Sequence, residues 1–139
     1  MDLIQLIYCS AISGNDESIL KDIHKTAVKY NAINGITGML LYSHGRFLQV
    51  LEGEPDATKS TYYKHICKDP RHTDVQLLLL DTISERSFER WSMGFRQVSN
   101  VDIQQMPAIE SFFSCDIKTI KGKAGVALNL LNAFVPTNN

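Results

Sequence analysis

The chain opens on an alternation of period two. Over residues 3–10, Ile4, Leu6 and Tyr8 fall on one side of an extended backbone and Leu3, Gln5, Ile7 and Cys9 on the other. Both sides are mainly apolar, so the segment reads as a strand buried on both faces and placed centrally in a sheet. Ser13-Gly14-Asn15-Asp16 then supplies turn and N-cap chemistry. The period lengthens after it: Ile19, Leu20, Ile23 and Ala27 form one helical stripe, and a helix is predicted to about Tyr30. One more step of four along that stripe reaches Asn31. Asn34-Gly35 marks a turn. Residues 36–43 and 46–51 alternate again as two strands, joined by a hairpin at Ser43-His44-Gly45.

A second helix is predicted from Glu54-Pro55-Asp56 to near Cys67, with Pro55 in the first turn, where a missing N–H does no harm. Residues 68–72 read as a polar loop, 75–81 as an apolar fourth strand, and 83–88 as a turn or short helix. Residues 90–98 alternate Trp91, Met93 and Phe95 against Ser92, Gly94 and Arg96, as a fifth strand at or near an edge. Strand, helix, strand, strand, helix, strand is the split arrangement of a ferredoxin-like α+β fold, βαββαβ, here with one strand added. Two helices would cover one sheet face. The strands are apolar on both faces, so the other face needs its own cover. Residues 102–113, and 125–134 with Ala127, Leu130, Leu131 and Phe134 at helical spacing, supply it. The expected organisation is a main domain over 1–98 and a C-terminal helical extension over 99–139 packed on it.

At 139 residues the chain suits one domain whose core needs no metal or disulfide support. A formal net charge of −1, with both signs scattered, leaves no electrostatic footprint for nucleic acid or an anionic membrane. No apolar run is long enough to span a bilayer and no signal-peptide pattern opens the chain, so a cytoplasmic protein is expected. Cys9, Cys67 and Cys115 are odd in number and far apart, which suits reduced thiols acting as small buried hydrophobes. His65, Cys67 and His72 lack compact ligand spacing, and no metal site is expected.

Candidate chemistry starts at Gln49, set between Phe47 and Leu51 on one face of a strand whose other face carries Leu48 and Val50. An unpartnered amide there would cost roughly 1–3 kcal/mol. A hydrogen-bonding group, from the protein, water or a ligand, should therefore lie against that face. Tyr8 on the first strand and Asn31 at the end of the helical stripe would share the gap between helix and sheet. For Asn31 the plainer alternative is a helix-terminating residue in the left-handed conformation, which needs no ligand. A phenol and two neutral amides make poor hydrolytic machinery. They suit a planar heterocycle with donors and acceptors along one edge.

Taken together, Tyr8 in LIYCS, Asn31 ahead of GITGMLLYS, Gln49 in FLQVLEG, DPRH at 69–72 and Trp91-Ser92-Met93 resemble, in order and spacing, the BLUF domain family of flavin-binding blue-light sensors. The resemblance covers about residues 2–98, and the chain looks like the short BLUF proteins that carry a helical tail in place of a fused output domain. It implies a non-covalent flavin, FAD with FMN as the alternative, lying between the two helices on the sheet. By matching position, Asn31 would bind the pyrimidine edge of the ring and Gln49 would bridge the ring to Tyr8. Ile23, Leu40 and Phe47 match the apolar pocket. Asp69, Arg71 and His72 match the loop near the ribityl chain and phosphate, with Lys29 and Lys64 as further phosphate neighbours. The resemblance also implies light-driven proton-coupled electron transfer from Tyr8 through Gln49, leaving Gln49 rotated or tautomerised. Trp91 and Met93 match the positions that pass the change to the fifth strand and tail. Without turnover, the signal would leave by contact with a downstream partner protein, and self-association into a homo-oligomer is expected. Three departures from the family pattern bear on ring packing and phosphate contact: Tyr30 stands where His or Asn is common, Ala27 where Ser is frequent, and the second helix region is one residue longer than usual. Two other functions fit the same fold. An acylphosphatase-like hydrolase would need an anion-binding loop at residues 10–15, which hold no Arg or Lys; a colourless interaction domain would need no cofactor.

Overall fold

In the computed structural model, which describes residues 2–14, 17–89, 92–99, 102, 104 and 131, the first alternating segment is strand β1 (Leu3–Ile12). A single 3₁₀ turn, Glu17–Ile19, leads into helix α1 (Leu20–Asn34). No side chain caps its N-terminus, and Asn15 and Asp16 of the expected cap lie outside the described residues. The helix also runs a turn past Tyr30. It stops at Gly35, whose φ of 67° is left-handed, and Gly35 N and Ile36 N both donate to the Asn31 carbonyl. This paired closure is the usual way a glycine ends a helix. The left-handed residue is therefore Gly35 rather than Asn31, which stays helical and buried.

Strands β2 (Thr37–Ser43) and β3 (Arg46–Gly53) follow as the expected hairpin. Its two-residue turn has positive φ at both His44 (49°) and Gly45 (82°), the geometry whose twist matches paired strands. Helix α2 (Pro55–Ser60) begins with Pro55 as foreseen but does not continue as an α-helix to Cys67. It passes into a π turn, Thr61–Ile66, closed by Cys67 N donating to Tyr62 O at 2.9 Å. A π turn takes one more residue than an α turn. Strand β4 (His72–Ile83) starts inside the expected loop and runs past Asp81; of the turn or short helix expected over 83–88 the structure has the turn, bending from Ser84 and burying Phe88. Strand β5 (Gly94–Gln97) is shorter than residues 90–98, and Trp91 lies outside the described residues.

The strands order as β4-β1-β3-β2-β5, antiparallel except for the parallel pair β2/β5. The first four are the ferredoxin-like sheet and β5 is the added edge. Leu6, Tyr8, Leu40, Phe47 and Leu51 face α1 and the π turn, and pack with Ile23, Tyr62 and Ile66. Ile7, Cys9, Met39, Leu41, Leu48 and Val50, on the opposite face by the period of two, are equally buried. Of the expected helical cover only Asp102, Gln104 and Leu131 are described; all three are helical and Leu131 is buried. The remainder of 99–139 lies outside the described residues.

Candidate flavin site

Register brings the chemistry together. Tyr8 pairs with Gln49 across β1/β3, and Gln49 pairs with Leu40 across β3/β2, so the three side chains stand in one row on the helix-facing side. On the other flank of Tyr8 the β1/β4 register slips between Ile7 and Tyr8, an irregularity of the kind that re-aims a side chain. Above the row, α1 presents Ile23, Ala27 and Asn31 at steps of four. Between them is a cleft of about 110 Å³, partly open to solvent, walled by Ile23, Leu40, Leu51 and Ile66 and edged by Tyr8, Asn31 and Gln49.

The polar atoms of the cleft are arranged rather than scattered. Tyr8 Oη donates to Gln49 Oε1, and Gln49 Nε2 donates to the thioether sulfur of Met93 at 3.3 Å. A thioether is a weak acceptor, so this end of the amide is held loosely. Asn31 Nδ2 donates to the Ser92 carbonyl at 2.9 Å, leaving Oδ1 without a partner among the described residues. Burial pushes the Tyr8 phenol well above its ordinary pKa, helped by the nearby Tyr62, Cys67 and Asp69. Tyr8 therefore keeps its proton and stays a donor. Its ring packs against Tyr62 at a centroid distance of 5.2 Å.

At the partly exposed end, Arg71 grips the Asp69 carboxylate with Nε and Nη2, at 2.8 Å for the shorter pairing. Burial alone would raise the Asp69 pKa, but the hydrogen bonds and charge of Arg71 outweigh it and hold the carboxylate below its ordinary range. His72 lies deeper, 3.1 Å from Ser10 Oγ through Nδ1, and its pKa is pushed down to about 4, chiefly by burial. These groups fit a largely apolar ring system with hydrogen-bonding edges and a polar tail reaching the Asp69-Arg71 end.

Of the residues expected at the site, Tyr8, Ile23, Asn31, Leu40, Gln49, Asp69, Arg71 and His72 all line this cleft. Phe47 does not. It packs behind the wall, its ring 5.0 Å from that of His72 and 5.1 Å from that of Tyr42. Met93 lies against Gln49, while the expectation for Trp91 falls outside the described residues. Lys29 borders a shallow groove beside the cleft, and Lys64 is exposed and lines neither. Cys67, expected to be buried, is exposed; Cys9 is buried. Among the described residues no cluster of possible metal ligands occurs.

Ala27 and Tyr30, expected to bear on ring packing, line the cleft. Several further wall residues went unforeseen. Thr26 is signalled by the stripe already read through Ile23 and Asn31. Thr61, His65 and Ile66 are not, because the π turn shifts the phase of the second helix. Tyr30 and His65 meet across the two helices at a ring distance of 4.8 Å. Glu52 was missed as well. It is fully buried on the sheet's other face, where its carboxylate accepts from Gln5 Nε2 and from the backbone N–H groups of Ser87 and Phe88.

Known proteins resemble this chain in sequence and fold. The family model described as BLUF, sensors of blue-light using FAD, matches residues 3–94. A photoactivated adenylate cyclase subunit beta of Euglena longa is 45% identical over 75 residues, 53% of this chain and 9% of that protein. The blue light- and temperature-regulated antirepressor BluF of Escherichia coli (strain K12) is 37% identical over 93 residues, 66% of this chain and 23% of that protein. The chain thus spans only a small part of the length of these relatives. Among solved structures, the photo-activated state of BlsA superposes with a TM-score of 0.80 at 30% identity, covering 99% of both chains. BlrB, a BLUF protein in its dark state, gives 0.77 at 26% identity, covering 96% of this chain and 98% of its own. By its sequence and its fold, this chain belongs to the BLUF family, whose members sense blue light using FAD.

Proposed function

We propose that this chain is a photosensory module without turnover, which holds FAD non-covalently in the cleft and reports absorbed blue light through the hydrogen bonds of Gln49. The observation that carries the proposal is the buried relay Tyr8 Oη to Gln49 Oε1, with Gln49 Nε2 on Met93 Sδ, at the cleft's edge. A flavin bound there supplies absorption of blue light and, once excited, a strong oxidant. Everything else belongs to the protein. Tyr8 is the oxidisable group in contact with Gln49, and its Oη proton has a path along the hydrogen bond to Gln49 Oε1. The amide can return that proton after rotating or as its imidic tautomer, and both outcomes exchange donor for acceptor at its two ends. Met93 Sδ then loses the N–H it accepts.

Asn31 contributes the free Oδ1 as an acceptor for a donor on the ring edge, and the apolar walls exclude water that would otherwise compete for the Gln49 amide. Asp69 and Arg71 sit where a ribityl or phosphate group would enter. FMN satisfies the same ring contacts and is the alternative cofactor. The chain is organised as a flavin-binding domain over 1–98 with a helical extension over 99–139. The changed network biases the Met93 segment and β5, and is read by a downstream partner protein or by a second copy of the chain. Purified protein should be yellow, and blue light should shift its flavin absorption to longer wavelength with return in the dark. Protein that stays colourless when supplied with FAD or FMN would overturn the proposal.

A further inference from the structure

His24 takes no part in the relay and does not line the cleft. It stands on α1 seven residues before Asn31, so the two side chains leave the helix on one face, two turns apart. Both reach the same short segment: His24 Nε2 lies 2.8 Å from the Met93 carbonyl oxygen, and Asn31 Nδ2 donates to the Ser92 carbonyl at 2.9 Å. A carbonyl can only accept, so His24 Nε2 carries the hydrogen. The His24 ring also packs on Phe95 of β5 at a centroid distance of 5.2 Å. Between these anchors the Met93 side chain turns inward, its sulfur against Gln49 Nε2 and its ε-methyl 3.3 Å from where a Cβ on Gly38 would stand.

These contacts differ in strength. The amide-to-thioether bond that links Met93 to Gln49 is the weakest of the three and cannot hold the segment in place alone. Asn31 sits on the cleft wall, where its amide is also available to a ligand. Beyond the β2/β5 pairing that begins at Gly94, the anchor of this segment independent of the cleft is His24. Resting on the site proposed above, we infer that His24 is a positioning residue for signal output: it pins the Met93 carbonyl and so keeps the Met93 sulfur within reach of the Gln49 amide, joining β5 to that amide. Without the pin, Met93 leaves Gln49 and β5 no longer responds to it, while Tyr8 and Gln49 are left as they were.

The test uses NMR on this 139-residue chain loaded with FAD, with ¹³C-labelled methionine methyls and ¹⁵N-labelled backbone, comparing wild type, His24→Leu, which removes the donor, and His24→Gln, which keeps an N–H at similar reach. In the dark, the cross-peak between the Gln49 amide hydrogens and the Met93 methyl should weaken in His24→Leu, as the ratio of engaged to released Met93 falls roughly fivefold, the change one neutral hydrogen bond supports. In light, the shifts of the Gly94–Gln97 amides should fall in parallel. The flavin red shift should remain, and His24→Gln should restore both signals. An unchanged cross-peak and full β5 shifts in His24→Leu overturn the inference, as does loss of both in a folded His24→Gln. The dark cross-peak decides the role of His24 even in protein that shows no red shift, a result that would instead overturn the photosensory proposal.

Discussion

At the scale of single residues, the proposed function rests on two side chains whose surroundings fix what they can do. Burial holds Tyr8 protonated and aims its hydrogen at Gln49, so the phenol and amide can be tested separately from the cleft. Tyr8→Phe and Gln49→Leu should each retain flavin and lose the reversible absorption shift, measured by difference spectroscopy; an undiminished shift in either variant refutes its role. His72 gives a test by pH. Its pKa falls from 6.5 to about 4 in the fold, so between those values the unfolded chain binds the extra proton. Stability should therefore be full above pH 6.5 and decline as pH drops toward 4, by up to roughly 3 kcal/mol for this group alone. Urea unfolding across that range should show a shallower decline in His72→Asn than in wild type; parallel curves would contradict the assignment. Gln49 was legible because an amide interrupts an apolar face. Glu52 answers to the same argument, since the period of two sets it with Leu48 and Val50, and it occupies the other buried face.

At the scale of elements, β2 and β3 approach closely at Gly38. A Cβ there would collide with the Val50 carbonyl oxygen of β3 and crowd the Met93 methyl. Gly38→Ala should cost about 1–3 kcal/mol, the usual penalty of overpacking, and push Met93 off Gln49. Calorimetry reads the first effect and the dark-state cross-peak the second; unchanged values in both would show that the strands can part without loss. Strand identities and the hairpin were readable because period two and the His44-Gly45 turn are local signals. The π turn was not, since its extra residue breaks the spacing that a helical stripe is read by, and with it went His65 and Ile66. The end of α1 was placed at Tyr30 because the apolar stripe gives way to Asn31, whereas the physical stop is Gly35. The approach to the helical Asp102 carried a missed signal. Ser99 and Asp102 exchange hydrogen bonds, Ser99 N to Asp102 Oδ2 at 2.9 Å and Asp102 N to Ser99 Oγ at 3.2 Å, the capping box that S-x-x-D announces.

At the scale of the whole molecule, a ferredoxin-like sheet buries both faces and leaves one cleft-bearing side under α1 and the π turn, with β5 parallel at the edge beside β2. The cleft is thus joined to the sheet edge by a short path through Gln49, Met93 and Gly94. The proposed path needs no net chemistry, only a change in which groups donate and accept, and a partner able to read the position of β5. The most direct measurement is the absorption spectrum of the purified, FAD-loaded protein before, during and after blue light. The expected result is a flavin band that moves to longer wavelength under illumination and returns in darkness. A bound flavin whose spectrum does not move, or a protein that takes up no flavin, would contradict the central claim.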